Sequence, residues 1–162
     1  MSRASKSGLA ADIERKLERQ YDEAEANKVP DAVRVWILAT LGEKLDSVGT
    51  DFKSLAAFLK DGTVLCRFIN VLLKSEGKAP IAFQKKCSSP FVTMTNIENF
   101  NKGALQYGLG KEALFQTTDL YESKKGPFLN VINCLHSLGT MANGKGFEVK
   151  YTGVDEPLLN RD

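Results

Sequence analysis

Side chains that carry chemistry are scarce in this chain. Its 162 residues include one histidine, His136, and three cysteines, Cys66, Cys87 and Cys134, odd in number and too widely spaced for a disulfide framework. No spaced ligand set suggests a structural zinc site, and no acid, base and nucleophile fall together, so an enzyme is the remotest expectation. No apolar run approaches the roughly 20 residues that a membrane span requires. The opening "MSRASKS" is basic but has no apolar stretch behind it, and no Asn-x-Ser/Thr site occurs, so an intracellular protein is expected. Charge of one sign is also lacking: 22 basic residues stand against 20 acidic, leaving +2. No overall field draws the protein to nucleic acid or an anionic membrane, and an electrostatic partner must be met by a local patch. "YGLGK" lacks the preceding strand and the Lys-Ser/Thr ending of a phosphate loop, and Gly108 is better read as a helix stop.

What is present is a 43% hydrophobic composition, enough for one domain with a core that needs no staple. Leu9, Ile13, Leu17 and Tyr21 recur four apart in "SGLAADIERKLERQYDEAEANK", which predicts an amphipathic helix whose narrow stripe docks onto something. In "VPDAVRVWILATLG", Pro30 suits a first helical turn, Val33, Trp36, Ile37 and Leu41 share a face, and Gly42 supplies a left-handed cap. That register makes Trp36 a core anchor ahead of an interface hot spot. "DFKSLAAFLK" gives a short helix or turn with Phe52, Leu55 and Phe58 or Leu59 inward.

"LKDGTVLCRFIN" poses a sharper question, because Asp61-Gly62 often marks a hairpin. Val64, Leu65, Phe68, Ile69 and Leu72 follow at helical spacing, not alternation, so the hairpin fails. A calcium loop needs several alternating oxygen ligands, and only Asp61 is there. Capping remains: Asp61 accepts from orphan helix N–H groups, and Gly62 lets the chain turn tightly into a core helix.

"KSEGKAPIAFQKKCSSP" is linker-like and the most basic stretch, with Lys74, Lys78, Lys85 and Lys86 against Glu76. Met94, Ile97, Phe100 and Ala104 then predict a helix ending at Gly108, and Asp119 caps a single turn bearing Leu120 and Tyr121. Pro127 opens a last helix with Val131, Leu135, Leu138 and Ala142 on one face. After it, "FEVKY" alternates briefly without further core pattern, so residues 143–162 are expected to be loosely attached. Cys66 and Cys134 read as packing groups, Cys87 as an ordinary loop thiol ahead of an oxidant-sensitive one, and His136 as a partly exposed helix residue. The expected class is all-α, with four main helices, short connecting ones and an N-terminal amphipathic helix.

Several stretches, in order and with ordinary spacing, resemble the calponin homology domain. They are Trp36 in its helix, "LKDGTVLCRFINVL", "MTNIENFNKGALQYGL", "LFQTTDLYESK" and "VINCLHSLG", covering most of the chain. The leading "SGLAADIERKLERQYDEA", with Gly8, Leu9, Tyr21 and Asp22, is similar to the N-terminal extension of calponins and transgelins. The resemblance implies residues 1–27 as extension, 28–142 as one calponin homology domain and 143–162 as tail. It further implies a cytoplasmic, monomeric, cofactor-free cytoskeletal protein that binds or bundles actin filaments. One departure is plain: residues 143–162 hold no repeat resembling "GLQMGSNKGASQAGM", and Lys145, Lys150 and Arg161 there are outnumbered by four acidic residues. A signalling adaptor without filament binding therefore stays open, as does microtubule association, against which the N-terminal extension argues. Charge placement, not family motif, nominates Lys85 and Lys86, then Lys124 and Lys125, as partner contacts; the ordinary reading of each group is solvated surface lysine.

Overall fold

The computed structural model describes residues 8–153, and no strand occurs among them. Its α-helices are α1 (Gly8–Ala26), α2 (Val29–Leu41), α3 (Phe52–Leu59), α4 (Thr63–Ser75), α5 (Pro90–Tyr107), α6 (Thr117–Tyr121) and α7 (Lys125–Gly144), with single 3₁₀ turns at Leu45–Ser47 and Lys111–Ala113. α4 lies along α5, while α2 rests on α4 and α7, so the four longer helices of the domain enclose one core. At its centre Trp36 is 1% exposed and meets Phe68 edge-on, ring centroids 4.8 Å apart. Such a pair adds ~1 kcal/mol beyond its area. Of the periodic residues on α4 and α7, Leu65, Phe68, Ile69 and Leu72 and Val131, Leu135, Leu138 and Ala142 are fully buried, while Val64 is half-buried against the core.

Local chemistry sets the helix ends. Gly42 closes α2 at φ 74°, and Gly62 stands before α4 at φ 80°. At Gly62 a side chain is doubly excluded, because an added Cβ would also come within 2.9 Å of Asn96 Cβ. Asp61 Oδ1 accepts the Thr63 amide at 2.9 Å and its hydroxyl at 2.7 Å, so the pair does open a core helix. Asp119 works differently from expectation. It sits inside α6, accepting the Gln116 N–H on Oδ2 at 2.9 Å in the manner of a capping box, and does not precede the turn.

Two expectations need correction. The stripe on α1 is buried only at its end: Tyr21 is 0% exposed between Phe52 and Phe128, centroids 5.5 and 5.9 Å away, whereas Leu9 is 72% and Ile13 52% exposed. α1 packs on α7, with Leu17 lying over Gly126 and Tyr21 beside Phe128, while Leu9 and Ile13 nearer its start stay exposed.

The other correction concerns the tail. Residues 143 and 144 complete α7, and 145–153 form an extended strap over the core; the remainder of the expected loose tail, 154–162, lies outside the described residues. Phe147 and Tyr151 are buried and Glu148 and Lys150 exposed, so the alternation in "FEVKY" is an in-and-out pattern. It makes no strand because side chains take the place of a neighbouring strand: Trp36 Nε1 donates to the Val149 carbonyl at 2.8 Å, and Asn143 accepts the Tyr151 N–H at 2.9 Å and donates to its carbonyl at 2.8 Å. Gly139 makes the notch, since a Cβ there would fall 2.4 Å from the Tyr151 ring.

Candidate interaction surface

The basic linker is held on the bundle by two asparagines. Asn70 on α4 donates to the Ile81 carbonyl at 3.2 Å and accepts its N–H at 2.8 Å. Asn96 on α5, 0% exposed, does the same for Gln84 at 2.8 and 3.0 Å and also reaches Cys87 Sγ at 3.5 Å. Each amide supplies the donor and acceptor an irregular segment otherwise lacks. Neither was singled out from the sequence, although a polar residue beside a buried apolar one, Asn70 after Ile69 and Asn96 before Ile97, was the available signal.

Beyond the Gln84 fastening the chain lifts away, leaving Lys85 and Lys86 exposed. Cys87, Ser88 and Thr93 then line an open groove of about 570 Å³, faced by Lys60 and Asp61 at the end of α3 and by Tyr121 on α6. Lys60 Nζ stands 5.1 Å from the centre of the Tyr121 ring. The groove thus brings the segment carrying Lys85 and Lys86 to the segment carrying Lys124, which is exposed just ahead of α7. Against these lysines stand Asp61, engaged by Thr63, and exposed Glu122. Phe91, in the first turn of α5, is 77% exposed at the same end. Lys60 and Phe91 were missed in sequence; the first adjoins a cap motif that drew attention to itself, and the second precedes the stripe of its helix.

Not every nominated lysine is available. Lys125 is paired with Asp22 on α1 at 3.0 Å, and that hydrogen bond above all holds its ammonium pKa above the ordinary value. It ties α1 to α7. Lys78 donates to the Gln106 carbonyl at 2.8 Å and meets Glu76 at 3.1 Å, while Lys74 stays exposed. On the strap, Lys145 lies 2.8 Å from Glu76, sits 3.8 Å over the Tyr107 ring and donates to the Tyr107 carbonyl. Lys145 chiefly, then Lys78, keeps the Glu76 carboxyl below its usual range.

The remaining candidates for chemistry are occupied with packing. Burial, with Asp61 adding, pushes the Cys66 thiol up to about 12, and burial alone does the same for Cys134. Neither is a nucleophile near neutrality. His136 is half-buried with Nδ1 2.7 Å from the Tyr151 hydroxyl, and so belongs to the strap. Among the described residues no group of three or more His, Cys, Asp or Glu side chains is placed to hold a metal, and no helix is long and apolar enough to cross a membrane.

A helical bundle whose two buried thiols, Cys66 and Cys134, are silenced and whose open groove carries Lys60 offers a surface for recognition. The chain belongs to the calponin homology (CH) domain family, whose model matches residues 27–144. It is similar to transgelin of Saccharomyces cerevisiae, 36% identical over 114 residues, which covers 70% of this chain and 54% of the relative. It is also 42% identical over 106 residues to muscle-specific protein 20 of Drosophila melanogaster, covering 64% of this chain and 51% of that one. The chain therefore spans about half the length of these curated relatives. The fold is that of the solved calponin-homology domain of an IQGAP protein from Schizosaccharomyces pombe, with TM-score 0.64 and 24% identity over 84% of this chain and 80% of that one. A second structure, the calponin-homology domain of Rng2 from the same yeast, gives a TM-score of 0.62 at the same identity and coverage.

Proposed function

We propose that this chain is a non-enzymatic, actin-associated cytoskeletal protein of the cytoplasm, binding filaments through its one CH domain. The observation that carries the reading is an open groove lined by Lys60, with exposed Lys85 and Lys86 just ahead of its Cys87–Ser88 wall and exposed Lys124 three residues after its Tyr121, on a helical bundle that offers a surface and no reaction centre. Actin is acidic, and clustered lysines steer and hold such a partner even though the net charge is only +2. Filaments need no pocket for a small molecule, which suits an open groove.

The second reading, a regulatory adaptor that recognises another protein and leaves filaments alone, is favoured by the strap. Residues 145–151 clasp the domain they follow and carry no calponin-type repeat. Parallel co-sedimentation with actin filaments and with microtubules separates the readings. The protein is expected in the actin pellet at concentrations on the order of tens of micromolar or below, and in the microtubule supernatant. Failure to pellet with actin at that concentration transfers the assignment to the adaptor.

A further inference from the structure

We propose that Ser88 is a phosphorylation site for a serine/threonine kinase selecting basic residues three and two positions before its acceptor, and that the phosphate turns off the groove's basic face. The switch rests on the filament reading above; the site does not.

Lys85-Lys86-Cys87-Ser88 is the only place in the sequence where two adjacent basic residues precede a serine or threonine at that spacing. Kinases select substrates by such charge patterns. Lys85, Lys86 and Ser88 are all exposed, and residues 78–89 form neither helix nor strand. The amides of Lys85, Lys86, Cys87 and Ser88 donate no hydrogen bond to other described residues, so an extended stretch can be presented to a kinase cleft. The next serine is differently employed: Ser89 Oγ accepts the Val92 N–H at 3.3 Å and caps α5.

In the transfer, Ser88 Oγ attacks the γ-phosphorus of a magnesium-bound nucleoside triphosphate. The bond from that phosphorus to the diphosphate oxygen breaks, and the serine proton passes to the kinase's carboxylate base. The product carries about −1.5 to −2 charges at neutral pH. Lying just ahead of α5, it is tolerated by the positive end of the helix dipole, so the fold persists. What changes is the field, because Lys60, Lys85 and Lys86 line or adjoin the same groove as Ser88. A dianion among them cancels most of the local positive charge an acidic partner requires.

The test treats the whole chain with the catalytic subunit of cAMP-dependent protein kinase and MgATP and maps the phosphate by mass spectrometry. Phosphate is expected on Ser88, absent in Ser88→Ala, retained on Ser88 in Ser89→Ala, and incorporated at least about ten-fold more slowly in Lys85→Ala/Lys86→Ala. No incorporation at Ser88, or a rate indifferent to the lysine changes, overturns the site. An unchanged unfolding midpoint shows that the modified protein is folded, and its affinity for actin filaments is then expected to fall by about five-fold or more at low salt. Equal pelleting of both forms overturns the switch and spares the filament reading. Failure of both forms to pellet removes switch and filament reading together, while the mass map still decides the site.

Discussion

Tyr151 joins the strap to three parts of the core at once. Its ring centroid is 5.4 Å from that of Trp36, its hydroxyl is 2.7 Å from His136 Nδ1, and its backbone is held by Asn143. All of this depends on the bare backbone at Gly139. Gly139→Ala is therefore expected to expel the ring and cost ~1–3 kcal/mol, the usual range for overpacking, despite the gain in helix propensity. Thermal unfolding measures it, and a midpoint at or above wild type would show that the notch is unimportant. Tyr21 presents the opposite case. Its hydroxyl has no hydrogen-bond partner among the described residues, and burial foremost, with Glu25 and Asp22 adding, raises its pKa well above the ordinary phenol value. Tyr21→Phe is expected to be neutral or stabilising, because it removes a desolvated polar group and keeps the ring among Phe52 and Phe128. Tyr21→Ala is expected to cost ~3–5 kcal/mol, as for other buried aromatics. Urea midpoints of the two variants check both values.

Elements differed in how plainly the sequence declared them. α2, α4, α5 and α7 were legible because each buries a face at helical spacing and each carries a cap residue or a first-turn proline where the chain turns. α1 was half legible. Its stripe is real, but only Tyr21 meets the core, and periodicity alone does not state how far along a helix the neighbouring surface extends. The strap was misread because an isolated alternating pentapeptide looks like a tail unless its partners are known, and these lie 8 to 113 residues away at Asn143 and Trp36. Lys85, Lys86 and Lys124 were legible as exposed lysines, but the groove that Lys60, Cys87, Ser88, Thr93 and Tyr121 line was not, since which segments converge is decided by tertiary packing. The strap also carries a pH prediction. Glu76 is held as carboxylate by Lys145 and then Lys78, so its folded pKa lies below its ordinary 4.5. That contribution is complete above the unfolded value and is lost as pH falls through the folded one. Trp36 is the single tryptophan, and its indole N–H binds the strap. Acidification is expected to red-shift its emission before helical circular dichroism declines, and Lys145→Ala is expected to abolish that early step. Coincident loss of both signals in both proteins would argue that the strap and bundle open together.

For the whole molecule, a net charge of +2 states little about how the surface meets a partner, because position decides the field felt at contact. Lys85 and Lys86 are exposed beside the groove, whereas Lys125 is spent on Asp22 at 3.0 Å. Charge reversal at these places therefore has separable consequences. Lys85→Glu/Lys86→Glu is expected to leave the unfolding midpoint near wild type, as surface changes generally do, and to weaken actin pelleting by about ten-fold at low ionic strength. The deficit is expected to shrink as salt rises, because screening over roughly 8–10 Å erodes the attraction that the wild type enjoys and the repulsion that the variant suffers. Lys125→Glu places like charges at the α1–α7 contact and is expected to lower the midpoint while leaving the groove lysines in place. If the Lys85/Lys86 double reversal pellets like wild type across the salt series, these lysines are solvated surface and the filament contact lies on another face of the bundle.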